Sequence, residues 1–236
     1  MVKESIRTDA YKIGAVGAIL SAVGVLASGP LAILVVAFVQ PQPMWDGPAV
    51  FVENFHRIQT LPFYFGFLLV VGSILMLVAI YLLSRHRAEA LAALVLMSIG
   101  AAFAISNYVI QTTFVPAIVN SYSPDFGAVV ASVSMSNPGS LTWAMEMWGY
   151  GFMGLGTWLA AGFFRRSRLE KTGKFLFLLN GIVSVLGALL ISIDLSGVFS
   201  IAGLVGYGIW NILFLFLAVV FYRVLRQRRI AEEHQS

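Results

Sequence analysis

Glu146 is the one charged residue in the long apolar run that holds TWAMEMWGYGFMG, residues 142–154. A charged side chain at the centre of a bilayer costs about 2.5–3.5 kcal/mol on insertion scales, so it faces protein interior or water. Other polar side chains fall at similar places in neighbouring apolar runs. Asn107 and Gln111 are four residues apart, which puts them on one helix face. Tyr150 follows Glu146 by the same interval, and Tyr207, Trp210 and Asn211 lie in the last apolar run. Brought together, these groups would form an outward-facing pocket. Glu146 would be its charged anchor. Asn107, Gln111 and Asn211 would be polar contacts, and Tyr150, Tyr207 and Trp210 aromatic walls. A carboxylate beside amides and ring faces suits a cation, an amine or a lipid headgroup. Between apolar walls it also suits proton coupling. The competing reading is structural. A glutamate near a helix start meets the positive end of the helix dipole, and Asn and Gln side chains hydrogen-bond helices to one another in lipid.

Other chemistry has little support. The chain has no cysteine, which excludes disulfides, thiolate metal sites and cysteine nucleophiles. It has no P-loop. His56, His86 and His234 all fall outside the apolar runs, so no bis-histidine haem site is expected. Asp46, Glu53 and His56 could approach Glu146 from an outer loop, but a metal site built that way is the weaker expectation. No lysine lies in the core of an apolar run, and no second deep carboxylate completes an acid–base pair with Glu146. No cofactor and no metal are expected.

The elements that must position these residues are membrane spans. Of the 236 residues, 59% are apolar and 11% charged, against about 25% charged in soluble domains. A bilayer core takes about 20 mainly apolar residues as helix. Six runs qualify: Tyr11–Val39, Pro62–Leu83, Ala90–Val119, Leu141–Phe164, Phe175–Ile193 and Val198–Val224. The first is too long for the apolar stretch of a signal peptide and reads as a retained helix. The expected fold is all-α, a single domain over residues 1–236, an integral membrane bundle of six transmembrane helices.

Charge placement orients the bundle. If the spans alternate, fourteen of the fifteen Lys and Arg residues fall on one side: Lys3, Arg7, Lys12, Arg85, Arg87, Arg165, Arg166, Arg168, Lys171, Lys174, Arg223, Arg226, Arg228 and Arg229. Basic residues stay cytoplasmic, so both termini are expected inside. The net charge of +4 is then a topology signal with no nucleic-acid partner behind it. Arg57 is the exception. Two longer outer connections are expected, Gln40–Leu61 and Asn120–Ser140, plus a tight turn at Asp194–Gly197. A short interfacial helix could carry Phe51, Val52, Phe55 and Ile58 on one side, and Ser140 is placed to cap the fourth span.

Small residues recur along the first run at Gly14, Gly17, Ser21, Gly24 and Ser28. That spacing of about 3.5 keeps a small-residue stripe against one neighbour. A partner helix or a second copy of the chain could sit there. Gly29-Pro30 should kink the helix. The even-numbered spans each carry an aromatic-glycine step, at FYFGF, WGYGF and VGYGIW. The hydropathy layout resembles that of many small prokaryotic inner-membrane proteins, and no motif goes with it. The leading expectation is a multi-pass cell-membrane protein that binds, and could transport, a small molecule, cation or lipid around Glu146. The alternatives are a non-catalytic interaction or scaffold subunit and, more weakly, an integral membrane enzyme using the outer loops.

Overall fold

The computed structural model describes residues 2–84, 87–165 and 167–234. Arg85, His86 and Arg166 lie outside the described residues, as do the side chains of Lys3 and Arg87. The described residues contain helix and no strand. In chain order the α-helices are α1 (Val2–Leu26), α2 (Ala32–Val39), α3 (Pro48–Asn54), α4 (Leu61–Leu83), α5 (Arg87–Val109), α6 (Val115–Asn120), α7 (Gly127–Val133), α8 (Leu141–Ala160), α9 (Arg168–Ile193) and α10 (Ile201–Glu233).

Two prolines shape the long rods. A π turn, Ala27–Leu31, holds Pro30 and joins α1 to α2. Another, Ile110–Phe114, joins α5 to α6 just ahead of Pro116. A proline ring clashes with the carbonyl four residues back, and a wider turn gives that carbonyl room without ending the helix. At Gly47 the backbone adopts φ 101° immediately before α3, a region open to glycine at little cost.

Among the described residues, five helical stretches are long and apolar enough to cross a membrane: Ile6–Val39, Arg57–Leu83, Ala88–Asn120, Arg168–Ile193 and Ile201–Glu233. The run expected as the fourth span is helical, as α8 and a short 3₁₀ turn at Ala161–Phe163, but it does not reach that hydropathy. Glu146, Trp143, Trp148, Tyr150, Trp158 and five glycines dilute its apolar content.

The long helices pack in chain order, α1 on α4, α4 on α5, α5 on α8, α8 on α9 and α9 on α10, and α10 closes the circle against α1. Neighbours run antiparallel, as the glycines show. A Cβ added at Gly14 would meet Ala79, at Gly17 it would lie 2.7 Å from the Gly72 carbonyl oxygen, and at Gly24 it would overlap the Leu69 backbone. The small-residue stripe of α1, read from the sequence as a seat for a partner helix or a second copy, is therefore occupied by this chain's own α4. The stripe lets the two backbones approach closely in the absence of a hydrophobic driving force between helices.

On α8, Gly149 and Gly156 meet α5 at Gly100 and Ala93, while Gly151 and Gly154 meet α9 at Ala188 and Ser184. The glycines that lower its hydropathy thus let α8 sit between two close neighbours. Asn180 of α9 donates to Thr157 Oγ1 of α8 at 3.0 Å, an interhelical bond of the kind its position suggests.

The basic end of the bundle is fastened by side chains. Arg7 of α1 pairs with Glu232 of α10, and Tyr11 donates to the same carboxylate at 2.9 Å. Arg228 of α10 pairs at 2.8 Å with the buried Glu170 of α9 and donates to the Phe163 carbonyl at 3.0 Å. The first and last helices thus begin and end on the same face of the bundle.

At the opposite end the connections fold more than the sequence suggests. The helix expected through Ile58 stops at Asn54. His56 instead caps a 3₁₀ turn at Arg57–Thr60, accepting from Ile58 N at 3.2 Å while its own N–H donates to Gln59 at 3.1 Å. The Asn120–Ser140 connection contains α7, whose Val130 packs with Phe51 of α3 and Val115 of α6 in a small apolar cluster. Asp194 caps a 3₁₀ turn at Leu195–Phe199, accepting from Ser196 N at 3.0 Å.

Candidate functional site

Ser140 sits at the N-cap of α8 and accepts from Trp143 N at 3.4 Å. That cap fixes where α8 begins. It places Glu146 five residues in, roughly 7–8 Å along the axis at about 1.5 Å per residue. The helix crosses α5 with Gly149 against Gly100. With no side chains at the crossing, the polar faces of the two helices meet directly above it.

There Asn107 Nδ2 donates to Glu146 Oε2 at 2.7 Å, and the Tyr108 hydroxyl donates to Glu146 Oε1 at 3.1 Å. Tyr108 and Tyr150 hydroxyls are 2.7 Å apart. Gln111 Nε2 donates to Asn107 Oδ1 at 3.2 Å and to the Val133 carbonyl at 2.7 Å. Asn107 and Gln111 are buried, and Glu146 is only 9% exposed. The expected face of α5 and the carboxylate of α8 thus meet.

The contribution of α10 is smaller than expected. Trp210 reaches across the interior of the bundle to Tyr150, ring centroids 4.6 Å apart, and donates to Ser184 of α9 at 3.0 Å. Asn211 and Tyr207 make no hydrogen bond to Glu146, although the Tyr207 hydroxyl lies close enough to Glu146 and Tyr150 to interact with them electrostatically. Asn211 donates to the Tyr207 carbonyl at 2.8 Å, and a Cβ on Gly29 would meet the Asn211 amide and, at 3.4 Å, the Tyr207 hydroxyl. Both residues also belong to the contact with the proline turn of the first rod. The reason is packing order. α10 lies between α9 and α1, so Trp210 is its residue in ring contact with α8.

Two parts of the site are not visible in the sequence pattern. Tyr108 is one; it follows Asn107 directly and so points about 100° away around the helix. Its long side chain nevertheless reaches both Glu146 and Tyr150. Gly66 of α4 makes room for it, since a Cβ there would stand 2.7 Å from the Tyr108 ring, and Phe63 and Phe67 flank it at 6.0 and 5.5 Å. The glycine in FYFGF was the available signal. The other part is the strap from Val133 to Ser140. Gln111 and Thr142 hold its Val133 carbonyl at 2.7 and 3.0 Å, and Trp143 Nε1 donates to the Met135 carbonyl at 2.7 Å. Met135 sulfur lies 3.0 Å from Asn107 Nδ2. The strap therefore covers the carboxylate from the loop side.

The charge balance is one-sided. The hydrogen-bond partners of Glu146, Asn107, Tyr108 and Tyr150, are all neutral, and among the described residues no Lys, Arg or His forms an ion pair with it. Among the described residues no three His, Asp or Glu side chains come close enough to hold a metal ion, so Asp46, Glu53 and His56 form no such cluster with Glu146. His56 spends its Nδ1 lone pair on the Ile58 N–H. The three aromatic-glycine steps also differ in use. The first houses Tyr108 and the second makes helix crossings, while Gly206 and Gly208 of the third face open space. No protein-family model, curated protein or solved structure matches this chain.

Proposed function

We propose that this is a six-span protein of the cell membrane, with both termini in the cytoplasm, that binds a small cation at the Glu146 carboxylate. The sixth span is α8. It runs antiparallel to α5 and α9 and in contact with both, so a slab of lipid around those two encloses it as well. The basic residues gathered at one end support the orientation.

One observation carries the binding reading: a buried carboxylate whose hydrogen-bond partners are all neutral, with no basic partner among the described residues. Hydrogen bonds from an amide and a phenol steady the anion without neutralising it, and an unpaired buried charge is costly. A bound cation compensates it. Tyr150 and Trp210, with centroids 4.6 Å apart, add ring faces that favour an organic ammonium. Asn107, Gln111 and Tyr108 hold the carboxylate in position, and the Val133–Ser140 strap limits access from outside. Tyr207 and Asn211 act at the first rod's proline turn.

Thermal unfolding of the detergent-solubilised protein against sodium, potassium and small ammonium salts tests this. A ligand at about 100 times its Kd stabilises the folded state by about 2.7 kcal/mol. Glu146→Gln keeps the shape, leaves one oxygen to accept from Asn107 and turns an NH2 donor toward the Tyr108 hydroxyl, and removes the charge. At least one cation is expected to stabilise the wild type and leave the variant unmoved. Equal responses of both proteins to every cation would reject the reading.

A further inference from the structure

Among the described residues Arg57 is the one Lys or Arg that the alternating helices place at the end opposite Arg7 and Arg228, because it opens the stretch leading into α4, and α4 runs antiparallel to α1. It lines a half-open surface cavity of about 380 Å³ together with Thr60, Tyr64, Thr112, Thr113 and Asn120. Pockets of a few hundred Å³ are the usual size for small ligands. The lining contains no Asp or Glu, and among the described residues the Arg57 guanidinium forms no ion pair.

The hydroxyls divide into two groups. Thr60 donates to the Arg57 carbonyl and Thr112 to the Tyr108 carbonyl, each at 2.7 Å, so these two stiffen the walls. The Tyr64 and Thr113 hydroxyls, the Asn120 amide and the guanidinium have no hydrogen-bond partner among the described residues. The proline-associated π turn at Ile110–Phe114 explains how one helix serves two sites. It turns Gln111 inward to the Glu146 network and leaves Thr112 and Thr113 on the cavity wall.

A guanidinium with several neutral donors and no competing carboxylate is suited to an oxyanion that accepts many hydrogen bonds. We infer that this cavity binds a phosphate-type anion, supplied either by a phospholipid headgroup at the membrane surface or by a soluble phosphate compound. Arg57 provides the charge, and Tyr64, Thr113 and Asn120 provide directional donors. The inference is independent of the Glu146 reading, since none of these four groups touches that network.

The test uses the full chain in neutral detergent, as wild type, Arg57→Gln and the double variant Tyr64→Phe/Thr113→Val. Each is titrated with inorganic phosphate and, separately, with phosphatidylglycerol against phosphatidylcholine in mixed micelles, with binding read by thermal stabilisation. The basic end of the bundle also attracts anions, so the comparison between variants is the readout. Arg57→Gln is expected to weaken the response at least about tenfold, equivalent to ~1.4 kcal/mol. The double variant is expected to weaken it while keeping the charge. Dependence seen with free phosphate identifies a soluble anion site, and dependence seen only with phosphatidylglycerol identifies a headgroup site. If Arg57→Gln binds both probes like wild type, or if the double variant does, there is no built anion site and the inference falls. The substituted side chains are exposed or hold no bond of their own, so the variants should fold, and an unchanged unfolding temperature without probe checks this.

Discussion

Removing one oxygen from Tyr108 should loosen the polar network without disturbing its shape. The Tyr108 hydroxyl donates to Glu146 at 3.1 Å and lies 2.7 Å from the Tyr150 hydroxyl. Tyr108→Phe keeps the ring in its slot against Gly66, Phe63 and Phe67, so no cavity term enters. Interhelical hydrogen bonds in membrane proteins are worth about 0.6 kcal/mol on average and up to about 1.7. Leaving a buried acceptor short of a donor costs about 1–3 kcal/mol. Both hydrogen bonds of the hydroxyl disappear, one of them to a carboxylate, so Tyr108→Phe should destabilise by about 1–3 kcal/mol. Tyr150→Phe removes the bond between the two phenols and the contact of its hydroxyl with the Glu146 carboxylate, and should cost about 1–2 kcal/mol. The double variant should cost less than the two single costs added, because the shared bond is counted once. The assay is reversible unfolding in mixed micelles followed by far-UV circular dichroism, with Tyr222→Phe as an exposed control. If Tyr108→Phe is no more costly than the control, or if the two single costs simply add, the network does not carry energy in the way the geometry implies.

Other consequences follow from packing, charge and topology. Gly24→Ala places a methyl into the Leu69 backbone and should destabilise by about 1–3 kcal/mol. Gly206→Ala and Gly208→Ala meet open space and should be neutral or stabilise by up to about 1 kcal/mol through helix propensity; the same unfolding assay separates the two classes. Glu170→Ala strips the partner from Arg228 and an acceptor from Arg165 N. It should cost up to about 3 kcal/mol, the low end for a buried pair because Arg228 is partly exposed, and equilibrium unfolding at two salt concentrations measures it. The chain has no cysteine, so single cysteines report topology cleanly. Ser196→Cys should react with an impermeant thiol reagent applied outside intact cells, and His234→Cys should react only after the cells are opened.

The sequence displayed the helices and the polar face more clearly than their arrangement. Apolar run length marks each long helix because an unpaired backbone cannot lie in lipid. α8 shows where run length and hydropathy part company. Its glycines and indoles lower the average while serving the crossings with α5 and α9. Asn107, Gln111 and Glu146 were legible as one polar group because the four-residue interval sets a face. Tyr207 and Asn211 were not separable from Trp210, since nothing in a single sequence orders six helices around a circle, and the turn of α10 decides which side chains point inward. The α1 stripe was legible as a packing surface, but its occupant was not, because small residues admit any close neighbour. The strap over Glu146 was hidden for another reason. Its bonds use the Val133 and Met135 carbonyls, which every residue type possesses.

Native mass spectrometry of gently extracted wild type beside Glu146→Gln tests the cation-site claim most directly. A cation held at Glu146 predicts a reproducible bound mass of a cationic species on the wild type, absent from the variant, with the lipid adducts of both proteins alike. Bare protein in both samples, or the same cationic adduct on both, would contradict it and leave Glu146 as a helix-packing residue held by Asn107 and Tyr108.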